Sequence, residues 1–134
     1  MQAEFFIPGP PQGKGRPRFA RTGNFVKTYT PEQTVVYENL VKIEYQRQCG
    51  SRKFDGAIKA VIEGIFPIPK STSKKNRQLM ERGLITHTKK PDADNIAKSI
   101  LDALNQIAYN DDSQISSLLV RKCYGETPDR KSVV

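Results

Sequence analysis

Between Asp92 and Ile107 the apolar residues Ile96, Ile100, Leu104 and Ile107 recur at helical spacing, in a stripe widened by Ala97, Leu101 and Ala103. A helix with one such face must lay it on another element, so the rest of the chain has to supply a partner layer. The pattern predicts a helix of about 15 residues with Asp92 as its cap. At about 100° per residue, Asp94, Lys98 and Asp102 then stack on the opposite face, at i, i+4 and i+8.

The partner layer is legible in outline. Residues 3–7, AEFFI, read as a short strand ended by PGPP, because proline breaks sheet pairing. The stretch QGKGRPRFARTGNFVKTYTP follows, rich in glycine and proline, and reads as a loop or irregular hairpin. Thr30 is placed to cap a helix with Pro31 at its first position, and Val36, Leu40 and Ile43 recur at helical spacing, giving a helix over 31–48 that stops near Gly50. Residues 57–66 read as a strand with Ile58, Ala60, Ile62 and Gly64 on one side. A short basic helix over 73–82, a turn at YNDDSQ and a final strand from 115 complete the order. These elements predict an α/β (α+β) fold, a single compact domain spanning 1–134 with a small mixed β-sheet packed with helices.

Composition narrows the partner. The 22 Lys and Arg against 14 Asp and Glu leave a net charge of +8, and a polyanion fits best, nucleic acid ahead of a membrane since no basic amphipathic helix stands out. No apolar run approaches the ~20 residues of a membrane span. With no leader-like start, the expected location is cytoplasmic. Cys49 and Cys123 have no partner Cys or His at zinc spacing, and read as reduced structural residues.

Against that basic background, Asp92, Asp94, Asp102, Asp111 and Asp112 are crowded into residues 90–112. Taken singly, each has an ordinary explanation. Asp92 and Asp94 suit a helix N-terminus, Asp94 can pair with Lys98, and NDD is turn chemistry. Taken together, a D-x-D before the helix and a D-D after it offer carboxylate oxygens to Mg²⁺ or Mn²⁺ if the following strand folds back and brings Asp112 to the first pair. Such a site activates water for in-line displacement at phosphorus, with Lys98 holding the scissile phosphate. A calcium loop is excluded: Ile96 takes its fifth position, and the turn glycine and terminal glutamate are missing.

The segment KPDADNIAKSILDALNQIAYNDDSQI resembles the RusA-type Holliday-junction resolvases, whose motif runs P-D-x-D-N, K, D-A-L and D-D before a strand. GPPQGKGRPRF and KTYTP are similar to the basic N-terminal part of phage-type members, and the resemblance is weakest over 45–85. It implies a homodimeric, Mg²⁺- or Mn²⁺-dependent endodeoxyribonuclease that nicks four-way junctions symmetrically in recombination and repair, in a bacterial or phage-infected cell and associated with the nucleoid. Carried over by position, the resemblance implies Asp92, Asp94 and Asp112 as metal-binding and catalytic acids, with Asp111 as the alternative to Asp112, and Lys98 as the catalytic lysine. Asp102 is a motif position that acts as a helix-face acid or supports the ligands.

The basic residues Lys14, Arg16, Arg18, Arg21 and Lys27 are expected to contact DNA phosphates, with Phe19 and Phe25 in the core. A second basic group comprises Lys70, Lys74, Lys75 and Arg77, and Lys89 and Lys90 flank the acidic motif. His87 reads as a loop residue, and Glu126 has no assigned part. The competing reading is a non-catalytic DNA-binding protein of the same fold whose acids serve only as caps.

Overall fold

The computed structural model describes residues 1–15, 18–23, 25–29, 32–125 and 131–133, and only the backbone of 18–20, 22, 25, 27–29 and 131–133. Strand β1 (Phe5–Phe6) is followed by a hairpin of β2 (Arg18–Thr22) and β3 (Phe25–Tyr29), then helix α1 (Glu32–Cys49) and strand β4 (Ile58–Pro67). Helices α2 (Lys74–Glu81) and α3 (Ala93–Leu104) lead through a single 3-10 turn (Asp112–Gln114) to β5 (Ile115–Gly125) and β6 (Lys131–Val133). The expected cap Thr30 and first-turn Pro31 lie outside the described residues, as do Arg16 and Glu126.

The main sheet runs β1-β6-β4-β5. Its strands β4 and β5 are parallel, β6 is antiparallel to β4 and to β1, and the sheet is therefore mixed, as the sequence predicts. Parallel neighbours need a long crossover, and α2 with α3 supplies it. The alternation read in 57–66 holds, with Ala60, Ile62, Gly64 and Phe66 buried and Val61, Glu63 and Ile65 half-buried.

The apolar stripe of α3 does what the sequence requires of it. Ile96 and Ile100 are fully buried, and with Ala97, Ala103 and Leu104 they join Tyr37, Val41 and Tyr45 of α1, Ile62 and Phe66 of β4, and Phe5 of β1 in one core. Full burial of an Ile stabilises by about 1.5–3 kcal/mol, so these two residues alone fix α3 against the sheet. The helix is shorter than expected: it ends at Leu104, Asn105 is extended and Gln106 takes a positive φ of 66°. The turn lets Ala108 and Tyr109 fold back into the core, a gain in burial that the strict helical repeat does not anticipate.

Helix α1 departs from expectation more sharply. Its buried residues are Thr34, Tyr37, Val41, Glu44 and Tyr45, while Val36 and Ile43 are 62% and 58% exposed. Of the stripe Val36, Leu40, Ile43 that signals the helix, only Leu40 packs in part against the core, and the main packing face lies elsewhere. The two tyrosines carry more apolar area than the aliphatic stripe, and Tyr45 also donates its hydroxyl to the Arg52 carbonyl at 2.6 Å.

Candidate active site

The N-terminal loop is strapped onto the start of α3. Lys14 N–H donates to the Asn95 carbonyl at 3.2 Å, and Ser99 Oγ donates to the Gln12 carbonyl at 2.9 Å. Between them Gly13 passes so close that a Cβ there would lie 3.0 Å from Pro91 Cβ and 3.2 Å from Asn95 Cβ, so any larger residue would have to push those side chains aside. The loop thereby covers one flank of the helix that carries the acidic motif.

At the N-terminal end of α3, Asp92 occupies the cap position and its carbonyl accepts from Ile96 N–H at 3.1 Å, but its side chain makes no cap bond. Asp94 is exposed in the first turn. Neither carboxylate has a hydrogen bond or ion pair among the described residues. The expected Asp94–Lys98 pair does not form; Lys98 lies 3.7 Å from Asp102 instead. Both acids lie one turn from Lys98, and Asp102 is the half-buried one, where water screens a pair less than it does at exposed Asp94.

The other acids gather at the far end of the helix. Asp102 accepts from Lys14 Nζ at 2.8 Å, and the same ammonium is 2.9 Å from Glu38 of α1. Burial alone would lower the Lys14 pKa, but its hydrogen bonds to Asp102 and Glu38 and their charge outweigh this and raise it above the ordinary lysine value. Lys14, expected on the DNA face, is thus held between two carboxylates. Beside it the Tyr109 hydroxyl donates to the Leu101 carbonyl. Burial, followed by the charges of Asp112, Asp102 and Asp111, pushes the Tyr109 phenol above its ordinary value.

The paired aspartates differ in their contacts. Asp111 caps the 3-10 turn: its carboxylate accepts from Ser113 N–H at 3.2 Å and from the Ser113 hydroxyl, while Gln114 reaches back to Asp111 N–H. Those Ser113 bonds hold its pKa below the usual carboxylate range. Asp112 is exposed, and no side-chain hydrogen bond or ion pair engages its carboxylate among the described residues.

The two acidic ends stand apart. A 12-residue helix is ~18 Å long, and β5 returns alongside it in the opposite sense. The residue that β5 carries back to the D-x-D end is Lys122, whose Nζ donates to the Lys89 and Pro91 carbonyls at 2.7 and 2.9 Å, directly before Asp92. Among the described residues no three His, Cys, Asp or Glu side chains group as a metal-holding cluster. Asp92 and Asp94 nonetheless suit a hard cation: Mg²⁺ takes one or two carboxylates and fills its other positions with water and substrate phosphate. Sequence reasoning passed over Lys122, although it alternates with Val120 and Tyr124 on a strand face where a lysine is out of place.

Of the basic residues, Arg21, Lys70, Lys74, Lys75, Lys89 and Lys90 are exposed, and Arg77 is half-buried with its guanidinium on the Pro69 carbonyl at 3.3 Å. The side chains of Arg18, Phe19, Phe25 and Lys27 lie outside the described residues. Ser73 caps α2 by accepting from Asn76 N–H at 3.2 Å.

His87 stacks on Phe66, with ring centroids 3.6 Å apart and planes 8° from parallel, and meets Tyr124 at 5.4 Å. Burial first, then the charges of Lys122 and Lys89, lower its pKa. The unfolded chain therefore binds this proton at higher pH than the folded one, so the His87 contribution is absent well above pH ~6.5 and destabilises as pH falls below it. Urea midpoints are expected to drop between about pH 7 and 5, and the stack-preserving His87→Phe to flatten that drop; an unchanged slope would mean that His87 titrates normally.

A family model described as endodeoxyribonuclease RusA matches residues 8–133. The chain is also 34% identical over 127 residues to the uncharacterized protein YqaN of Bacillus subtilis (strain 168), an alignment that covers 93% of this chain and 89% of that protein. The family match takes in the strapped loop, the D-x-D end of α3, the paired aspartates and the returning strand, and the chain belongs to the RusA endodeoxyribonuclease family.

Proposed function

We propose that this protein resolves four-way DNA junctions by metal-dependent nicking, with Asp92 and Asp94 as the principal metal ligands. The observation that carries the reading is the pair of exposed carboxylates at the start of α3, in an endodeoxyribonuclease family, that no protein group engages among the described residues. In a chain of net charge +8, lysines are at hand to neutralise both acids, yet none of the described ones does so. Carboxylates left unpaired beside a basic surface are available to a cation that arrives with the substrate.

Asp92 and Asp94 would hold a divalent ion, Mg²⁺ or Mn²⁺, which would supply water activation and charge compensation at the leaving oxygen. The protein's own groups do the rest. Lys98, with its side chain 61% exposed, offers its ammonium to the scissile phosphate. Of the paired aspartates Asp112 is the free one among the described residues, since Asp111 is occupied by its turn, and it stands at the far end of α3 from Asp92 and Asp94. Arg21, Lys74, Lys75, Lys89 and Lys90 bind backbone phosphates and position the arms. Lys14 supports Asp102 rather than DNA. A junction has two equivalent strands to cut, so the active form is a homodimer with two related sites.

The test is a labelled synthetic four-way junction and a matched linear duplex, each incubated with Mg²⁺, with Mn²⁺ and with EDTA. Paired symmetric nicks in the junction alone, abolished by EDTA, are expected. Junction binding without cutting under every condition would make the protein a binding module whose acids are structural.

A further inference from the structure

We propose that Lys14 is a positioning residue that acts on Lys98: by occupying Asp102 it keeps the Lys98 ammonium free for the scissile phosphate. The two lysines compete for one oxygen. Lys14 Nζ donates to Asp102 Oδ2 at 2.8 Å, while Lys98 Nζ stands 3.7 Å from the same Oδ2, an ion-pair distance beyond hydrogen-bond length. Lys14 wins because of where it sits. Its side chain is 22% exposed against 61% for Lys98, so water screens the inner pair less than the outer one.

The fold fixes Lys14 in that place. Its loop is held through the backbone, by the Lys14 N–H on the Asn95 carbonyl, by Ser99 Oγ on the Gln12 carbonyl, and by Gly15 N–H, which donates to Thr34 Oγ1 at 3.0 Å. Glu38 of α1 meets the ammonium at 2.9 Å, so Lys14 lies between two carboxylates that share it. Without its charge, Asp102 and Glu38 would repel each other, and Lys98, one turn before Asp102, is the cation already beside them. An ammonium drawn into that contact no longer reaches outward, and each cut would first have to break it. Lys14 itself touches no reacting atom; it acts on Lys98 through Asp102.

The inference rests on the phosphate-binding part given to Lys98 above, so one arm of its test avoids DNA. Lys14→Met keeps the aliphatic stem and removes the charge, and the backbone bonds of the loop persist. With the junction saturated by enzyme in Mg²⁺, its cutting rate is expected to fall about three- to tenfold, with junction affinity and salt slope unchanged. Lys14→Arg, which keeps the counter-charge, is expected to retain most of the rate. Adding Asp102→Asn to Lys14→Met is expected to recover most of the loss, because the competing acid is gone. A lysine that only braced the loop would give a double variant as slow as the single one, and that result overturns the proposal. So does weaker binding with a salt slope shallower by about one phosphate contact, which would put Lys14 on DNA.

The other arm follows acetylation of Lys98 in the full chain by mass spectrometry, with no DNA or metal. An amine reacts only after losing its proton, and one captured by a carboxylate loses it less readily. Labelling of Lys98 is therefore expected to slow at least about threefold in Lys14→Met and to recover in the double variant. Unchanged labelling overturns the proposal. A wild type that cuts no junction overturns the reading of the reaction, and slowed labelling would still show Lys14 governing Lys98.

Discussion

Replacing Asp94 by Asn is expected to abolish junction cutting while the fold and junction binding persist. Asp94 sits in the first turn of α3, where a negative charge favours the helix by about 0.3–1 kcal/mol, and its carboxylate bonds to nothing else among the described residues. Asn keeps the shape, so the stability cost stays within that range. On the proposed reading, in which Asp94 holds the metal at the reacting phosphate, its loss lowers turnover on the order of 10²–10³-fold. Binding should hold or tighten slightly, since one repulsive charge near the DNA backbone is gone. Cutting rates and junction affinity measured on the same preparation decide it. Wild-type cutting by the variant would remove Asp94 from the site, and a parallel loss of binding would make it a contact residue. Asp111→Asn is the informative companion, because its carboxylate caps a turn and Asn caps about as well: the fold and cutting are both expected to be retained there.

The parts of this fold that the sequence announces are those with a long, one-sided period. Ile96, Ile100 and Leu104 have one place to go, and the core receives them. Ala60, Ile62 and Phe66 alternate cleanly because one sheet face is covered. Helix α1 is recognisable but its orientation is not, because apolar residues lie on two faces and the choice between them depends on what the rest of the chain offers. Strand β1 is read within 3–7 from the proline that ends it rather than from a period, and β6, of three residues, has no period to read.

The site divides in the same way. The D-x-D pair and the paired aspartates are local patterns and can be read directly. Which of them are engaged cannot, because the Lys14–Asp102 contact joins residues 88 apart in the chain and the Asp111 cap depends on a turn that begins where α3 stops early. The mechanism imagined from sequence, in which a returning strand delivers Asp112 to the first pair, has the strand direction right and the cargo different: the strand delivers Lys122.

That lysine carries the second large effect. Lys122 Nζ reaches across from β5 and binds two carbonyls, those of Lys89 and Pro91, on either side of Lys90 and immediately ahead of Asp92. Hydrogen bonds from a charged donor are worth about 1.5–3 kcal/mol each, enough to fix the segment that presents the D-x-D pair. Lys122→Met keeps the aliphatic stem and removes the donor, leaving Asp92 and Asp94 in place chemically but free to drift. A displacement on the order of 1 Å at a reacting centre costs about 10²-fold. Turnover is therefore expected to fall about 10- to 100-fold with junction affinity and its salt dependence unchanged. Added Mg²⁺ should recover part of the loss, because a loosened pair binds metal more weakly before it orients it wrongly. Lys122→Arg, which restores a charged donor on a longer stem, should recover more. If Lys122→Met instead weakens binding and shallows the salt slope by about one phosphate contact, the lysine faces DNA and the segment ahead of Asp92 is held by other contacts.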